Sequence, residues 1–302
     1  MQWAWDSTSL GWLKECPRKY QYHMLERWSG RGESIHLEFG IIYHDALASY
    51  EIHKYVGADH ESALRAVIRE TLVKTWRDGK PWRSAADLPP DDKASLKNRE
   101  YLIRTLVWYL DKFKDDPAQT KLGLEGKPMV ELHFQFDLSF GISLDRPYAF
   151  CGYLDRVVDF QSQPFVMDRK TTTSTLGSYY FEQYEPDNQM SFYTIASQVA
   201  FKTPVKGVIV DAAQIAVGFS RFVRSFVFKT LDQIDEWMDD TKMWLRQAEW
   251  FVEKNRWPQN DKSCHKYGGC SFRGICSKSP SVRDKFLESN FERREWNPLI
   301  PR

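Results

Sequence analysis

Cys151-Gly152-Tyr153-Leu154-Asp155-Arg156-Val157-Val158, followed a short way on by Phe165-Val166-Met167-Asp168-Arg169-Lys170-Thr171, is the stretch on which the fold turns. Each segment sets an acid within or at the end of an apolar strand, where an unpaired carboxylate is costly. Asp168 and Lys170 are two apart, so a strand points both side chains to one face. Gln161-Ser162-Gln163-Pro164 reads as the turn between the segments. If the two strands pair as an antiparallel hairpin, Asp155 meets Asp168 across the ladder. Two carboxylates so placed repel unless one is protonated or a hard cation binds between them, and Mg²⁺ or Mn²⁺ with oxygen ligands suits such a pair. A neighbouring lysine can then orient or deprotonate a cation-bound water for attack on a phosphodiester. The structural alternative is a buried ion pair, Asp168 with Lys170 or Asp155 with Arg156.

Working outward, Val130, Leu132, Phe134, Phe136 and Leu138 alternate with Glu131, His133, Gln135 and Asp137, which predicts a half-buried strand. Tyr148 to Phe160 and Phe165 to Lys170 are the next two strands. A helix follows at 186–201, then strands over 205–217 and 219–228, and a long helix over 231–255. On the N-terminal side, helices are expected over 7–28, 37–55, 59–77 and 92–115. The first is capped by Ser7 or Ser9 and is interrupted or restarted at Pro17. Gly79 to Asp92, with Pro81, Pro89 and Pro90, reads as a loop. The order predicts one α/β core wrapped by an N-terminal helical region. The expected organisation is a single domain over 1–302, with a helical part at 1–127, the core at 128–230, and a C-terminal helix, cysteine segment and charged, Trp-containing tail at 231–302.

Five cysteines, an odd number, argue against a disulfide framework in a chain with no visible signal peptide. Cys264, Cys270 and Cys276 fall within thirteen residues, among Gly268, Gly269 and Gly274, which allow the turns that aim thiolates at one point. Cys16, Cys151 and His265 are candidates for a fourth ligand. Zinc accepts Cys₄ or Cys₃His but is usually held by closely spaced CxxC knuckles, absent here. The wider spacing favours a [4Fe–4S] cluster.

Lys plus Arg number 42 and Asp plus Glu 41, a net charge of +1, which excludes nucleic-acid or membrane binding through gross charge but leaves a local basic groove open. No apolar run approaches a membrane span. Gly40 lies one turn before His44 on a predicted helix, and a helical glycine, costing about 1 kcal/mol against alanine, hints at close approach. Alone, His44 reads as a satisfied half-buried histidine. Gln189 and Tyr193 share a helix face at i and i+4, and alone read as a surface pair.

Taken in order, these pieces resemble the PD-(D/E)XK nuclease superfamily, and within it the RecB-like and Cas4-like group that carries an iron–sulfur cluster. The resemblance rests on Ser7-Thr8-Ser9-Leu10, Cys16-Pro17-Arg18-Lys19-Tyr20, Gly40 with His44, Gly152 with Asp155, Asp168-Arg169-Lys170-Thr171, Gln189 with Tyr193, and the three C-terminal cysteines. It spans residues 7–276. It implies a restriction-endonuclease-like core, a central mixed sheet flanked by helices, with a C-terminal iron–sulfur segment. His44, Asp155 and Asp168 would bind the catalytic Mg²⁺ or Mn²⁺, with the Arg169 carbonyl as a further ligand. Lys170 would position or activate the attacking water, and Gln189 and Tyr193 would brace the lysine and touch DNA. Glu131 is carried as a weaker acidic candidate. Cys16 would join Cys264, Cys270 and Cys276 around the cluster, leaving Cys151 to the core.

The chain departs from the pattern with Leu154 at the name-giving proline and with x5, x5 cysteine spacing where Cas4 proteins have x2, x5. The implied activity is a metal-dependent deoxyribonuclease, a hydrolase acting as an exonuclease on single-stranded DNA or single-stranded ends. The alternative is a Cas4-like or DNA-end-binding subunit of a repair, recombination or CRISPR adaptation complex. No Walker loop is present, so unwinding would fall to a helicase partner. The expected setting is the cytoplasm of a bacterial, archaeal or phage-infected cell.

Overall fold

The computed structural model describes residues 1–32, 34–89, 93–143, 146–265 and 269–294. Pro90 and Asp92 of the expected loop, Gly268 of the cysteine segment and the Trp296 tail lie outside them. In chain order the elements are β1 (Ala4–Trp5), α1 (Ser7–Glu15), α2 (Pro17–Tyr20), β2 (Trp28–Gly30), α3 (Ile35–Tyr55), α4 (His60–Lys74), β3 (Trp76–Arg77), β4 (Lys80–Pro81), α5 (Arg99–Lys112) and β5 (Gln119–Thr120). They continue with β6 (Val130–Ser143), β7 (Arg146–Phe160), β8 (Gln163–Thr172), α6 (Ser178–Glu182), α7 (Asn188–Phe201), β9 (Gly207–Ile215), β10 (Ser220–Val227), α8 (Leu231–Glu253), α9 (Arg273–Cys276), α10 (Arg283–Asn290) and β11 (Phe291–Arg293). The fold is α/β, with a mixed central sheet flanked by helices. Among the described residues no helix is long and apolar enough to cross a membrane.

The chain divides into two compact units, one of Met1–Glu33, His133–Gly152 and Thr230–Arg302, the other of Ser34–Leu132 and Tyr153–Lys229. The second carries most of the sheet. There β7 runs antiparallel to β8, β8 parallel to β9, and β9 antiparallel to β10. The β7–β8 hairpin closes through Gln161 and Ser162, both left-handed with φ of 50° and 61°, the twist a two-residue turn requires. All nine residues of β9 are buried. Such a strand reads as a near-continuous apolar run because both faces are covered. On the helical side, Phe39, Ile42, Tyr43, Ala46, Leu47 and Tyr50 of α3 pack with residues of α4 and α5 into one apolar cluster. The helix starts are fixed by side-chain caps, Asp59 accepting from the Ser62 amide at 2.7 Å and Asn98 from that of Tyr101 at 2.8 Å.

Asp211 and Gln214 are polar residues within β9, and the Asp211 charge is countered within a buried charge network. Arg224 meets Asp116 at 2.6 Å and Asp211 at 3.4 Å, and Tyr109 donates to Asp211. Arg156 meets Glu51 at 3.2 Å and Asp116 at 3.4 Å. The suggested pairing of Arg156 with Asp155 is therefore not formed. Adjacent strand residues point to opposite faces, so each finds other partners.

In the first unit β1 pairs in parallel with the start of β7, Ala4 opposite Ala149 and Trp5 opposite Phe150. The cap of α1 is Asp6, not Ser7 or Ser9: its carboxylate accepts from the Ser9 amide at 2.7 Å while Ser9 Oγ accepts from the Asp6 amide at 3.1 Å. The serine takes the third position of a reciprocal capping box. Pro17 opens α2, where its missing N–H costs nothing. Gly152 has φ of +157°, and a Cβ there would lie 3.1 Å from the Phe134 ring, so the glycine of the Gly-x-x-Asp motif is held by a close aromatic contact.

Candidate active site

The β7–β8 ladder runs from Phe160↔Gln163 to Arg156↔Met167. At the next step the Asp155 carboxylate takes over, its Oδ2 accepting the Arg169 amide at 2.8 Å. The same oxygen lies 3.4 Å from His44 Nδ1 on α3. Glu131, near the start of β6, completes a group with His44 and Asp155 whose ligand atoms all lie within 4.8 Å of one another. Glu131 has a left-handed backbone, φ of 45°, which breaks the regular alternation of the strand at this acid.

Beside this group stands a second set. Lys170 Nζ donates to Asp168 Oδ1 at 3.0 Å and to Gln189 Oε1 at 2.8 Å. Gln189 Nε2 in turn donates to the Tyr193 hydroxyl oxygen at 2.7 Å. This chain fixes which end of the amide faces the lysine. Asp168 Oδ2 is buried and lies 2.9 Å from the same ammonium, so the lysine faces both carboxylate oxygens. Asp168 thus lies outside the tight three-residue group and is held by the lysine instead.

The electrostatics follow from burial of like charges. Burial raises Glu131, and the Asp155 carboxylate adds to it, taking the pKa to about 7. Asp168 is raised to about 6 by burial, with Asp155 again contributing, against the pull of Lys170. Burial opposes ionisation of Asp155 too, but His44 and Lys170 outweigh it and hold the group well below the usual carboxylate range. His44 is raised because Asp155 overrides the cost of burial, and Lys170 is raised because Asp168 and Asp155 do the same.

These residues fit a divalent cation. Three carboxylates against one lysine leave a charge of −2 when His44 is neutral. One imidazole and carboxylate oxygens are the donor set of a hard or borderline metal. Glu131 Oε1 is moreover buried with no hydrogen-bond partner among the described residues, a state that costs free energy unless something else coordinates the oxygen.

The Arg169 side chain points away from this group. Its guanidinium is 1% exposed and lies 3.9 Å from Glu51 on the side of the buried charge network. Gly40, read as a point of close approach, meets nothing beyond its own helix within 4 Å of where a Cβ would stand among the described residues. The residues missing from the sequence-based set are Tyr180 and Tyr184. Tyr184 donates to the Tyr180 hydroxyl at 3.1 Å, and burial, with the Asp168 charge contributing, raises both phenols.

In the first unit Cys16, Cys264, Cys270 and Cys276 line one small cavity. Cys16 Sγ accepts from the Asn260 amide at 3.3 Å. Cys151 is fully buried away from that cavity, its Sγ 3.6 Å from the Trp5 carbonyl, and burial pushes its thiol up to about 12.

The α/β core thus brings a histidine, three acids and a lysine together beside paired strands. The chain belongs to the PD-(D/E)XK nuclease superfamily, whose family model matches residues 7–277. No curated protein matches it. Among solved structures, SSO0001 is 13% identical with a TM-score of 0.34, over 80% of this chain and 77% of that one. A candidate exonuclease from Eubacterium rectale is 10% identical with a TM-score of 0.46, over 91% of this chain and 93% of that one.

Proposed function

We propose that the chain is a divalent-metal-dependent deoxyribonuclease that degrades single strands from an end. The observation that carries the reading is the convergence of His44, Glu131 and Asp155 within 4.8 Å beside the Lys170–Asp168 pair. A divalent cation held by those three residues would supply Lewis-acid stabilisation of the phosphate and a lowered pKa for water. Asp168, held by Lys170, would be a further ligand, and the Arg169 carbonyl is carried as another. Lys170, flanked by two carboxylates, stays an ammonium at neutral pH. It therefore orients the attacking water and offsets charge gathering on the phosphate, rather than removing a proton. Gln189, oriented by Tyr193, holds that ammonium in place.

The same reading gives the four thiols of the first unit a [4Fe–4S] cluster. A tetrahedral zinc site at about 2.3 Å Zn–S requires its sulfurs close together. Cys16, Cys264, Cys270 and Cys276 line one cavity without the closely spaced CxxC knuckles usual for zinc, and a cluster accommodates the wider spacing. Anaerobically purified protein should be brown and contain iron and sulfide; stoichiometric zinc in colourless protein would remove the cluster.

The test of the nuclease is digestion of an oligonucleotide labelled at the 5′ or the 3′ end, single-stranded or duplex, with Mg²⁺ or Mn²⁺. Stepwise loss from one end of the single strand is expected. Internal cuts alone would replace the exonuclease reading with an endonuclease.

A further inference from the structure

Trp76-Arg77-Asp78-Gly79-Lys80-Pro81-Trp82-Arg83 forms a small hairpin, β3 antiparallel to β4 with Trp76 opposite Pro81. Asp78 and Gly79 both have positive φ, 52° and 75°, the geometry of a tight two-residue turn. Nothing in the proposed chemistry uses it. Residues 74–83 carry four cations, Lys74, Arg77, Lys80 and Arg83, against the single acid Asp78, so a locally basic element stands out from a chain that is neutral as a whole.

Its place in the second unit is set by α3. Arg77 pairs with Glu38, Trp82 Nε1 donates to Glu38 at 3.0 Å, and Lys74 pairs with Asp45. Glu38 and Asp45 share a stripe of the helix about 100–120° round from His44. Asp45 also contributes to the raised pKa of Glu131. The hairpin is thus anchored on α3, the helix that carries His44. The Arg99 guanidinium lies over the Trp76 ring at 5.6 Å, yet Trp76 remains 53% exposed. Lys80 is exposed and makes no ion pair among the described residues.

We infer that this hairpin is a single-strand DNA-binding arm that stacks an unpaired base on Trp76 and takes a backbone phosphate on Lys80, feeding the strand to the nuclease site. Lys80 is the cross-strand partner of Arg77, on the face of the hairpin opposite Trp76. One small element thus has both a stacking ring, backed by the Arg99 guanidinium, and an exposed cation, the combination that holds bases and phosphates without reading sequence. A duplex keeps its bases stacked on each other and offers no face to the indole. The inference rests on the nuclease reading only for what the strand is delivered to.

The test is anisotropy of a short fluorescent oligothymidylate with the full chain and divalent cations chelated, so that binding is read without cleavage. Trp76→Ala should weaken binding about tenfold, and Trp76→Phe should restore most of it. Lys80→Ala should weaken it and reduce the slope of log affinity against log salt by about 1. Unchanged affinity and slope in Trp76→Ala and Lys80→Ala would overturn the inference, as would an equal loss for a blunt duplex of the same length. Should Trp76→Ala not fold, the exposed Lys80→Ala decides alone. A wild-type protein that cuts DNA normally while both variants bind like it removes the arm and leaves the nuclease. Trp76-dependent binding by a protein that cuts nothing removes the nuclease and leaves the arm.

Discussion

Asp155 accepts the backbone N–H of Arg169 through Oδ2 at 2.8 Å, so a carboxylate takes the place of a ladder partner one step beyond the last β7–β8 pair. The same atom faces His44 at 3.4 Å. Asp155 therefore ends the pairing and, in the proposed reading, offers an oxygen to the metal.

Asp155→Asn keeps an acceptor for the Arg169 amide but removes the charge. Thermal unfolding should stay close to wild type while cleavage falls by roughly a hundredfold or more. Asp155→Ala leaves that amide without its acceptor and should also cost about 1–3 kcal/mol of stability. Equal unfolding free energies for the two variants would contradict the double role.

Glu131 binds a cation only as a carboxylate, and its pKa stands at about 7. The Mn²⁺ concentration giving half-maximal cleavage should therefore rise as pH falls through 7. In Glu131→Gln the requirement should be higher throughout and rise less steeply, the remaining dependence coming from His44 and Asp168. A titration of activity against Mn²⁺ at pH 6 and pH 8 checks this.

Tyr193→Phe leaves Gln189 Nε2 without its acceptor, so the amide is free to turn its nitrogen toward Lys170. The expected effect is a fall in kcat of about tenfold with KM for DNA little changed. A change confined to KM would make Tyr193 a substrate contact instead.

Lys97 is 1% exposed, its Nζ has no hydrogen-bond partner among the described residues, and it lies 4.3 Å over the Phe39 ring. Burial lowers its pKa from 10.5 to about 7. Below pH 7 both folded and unfolded chains are protonated there and the cost of burying the charge is full. Between about 7 and 10.5 only the unfolded chain binds the proton, so stability rises with pH. Lys97→Met should thus stabilise the fold by roughly 2–5 kcal/mol at pH 6 and far less at pH 10, as read by urea unfolding.

What the sequence shows of this site is what local periodicity encodes. Asp168 and Lys170 share a strand face, and Gln189 and Tyr193 share a helix face, so both pairs are visible as spacings. Glu131 could be carried only weakly, because alternation along β6 puts it on a face without showing the left-handed φ at this residue. His44 is ordinary until the fold sets it against Asp155. The alternation that predicts strands over 130–160 also could not show that Arg156 meets Glu51 and Asp116, partners far away in the chain. The helix expected to reach residue 77 stops at Lys74, and a hairpin stands where a loop was expected. The Asp78-Gly79 pair was the available signal. The grouping of His133–Gly152 with both chain ends rests on long-range packing and leaves no local trace.

The central claim is metal-dependent cleavage that depends on Lys170, and its most direct test is digestion of an end-labelled single strand by wild type and Lys170→Ala side by side in Mn²⁺. Wild type should shorten the strand, chelation should stop it, and Lys170→Ala should leave it intact while still binding it. Equal digestion by both proteins, or digestion that persists after chelation, would contradict the account.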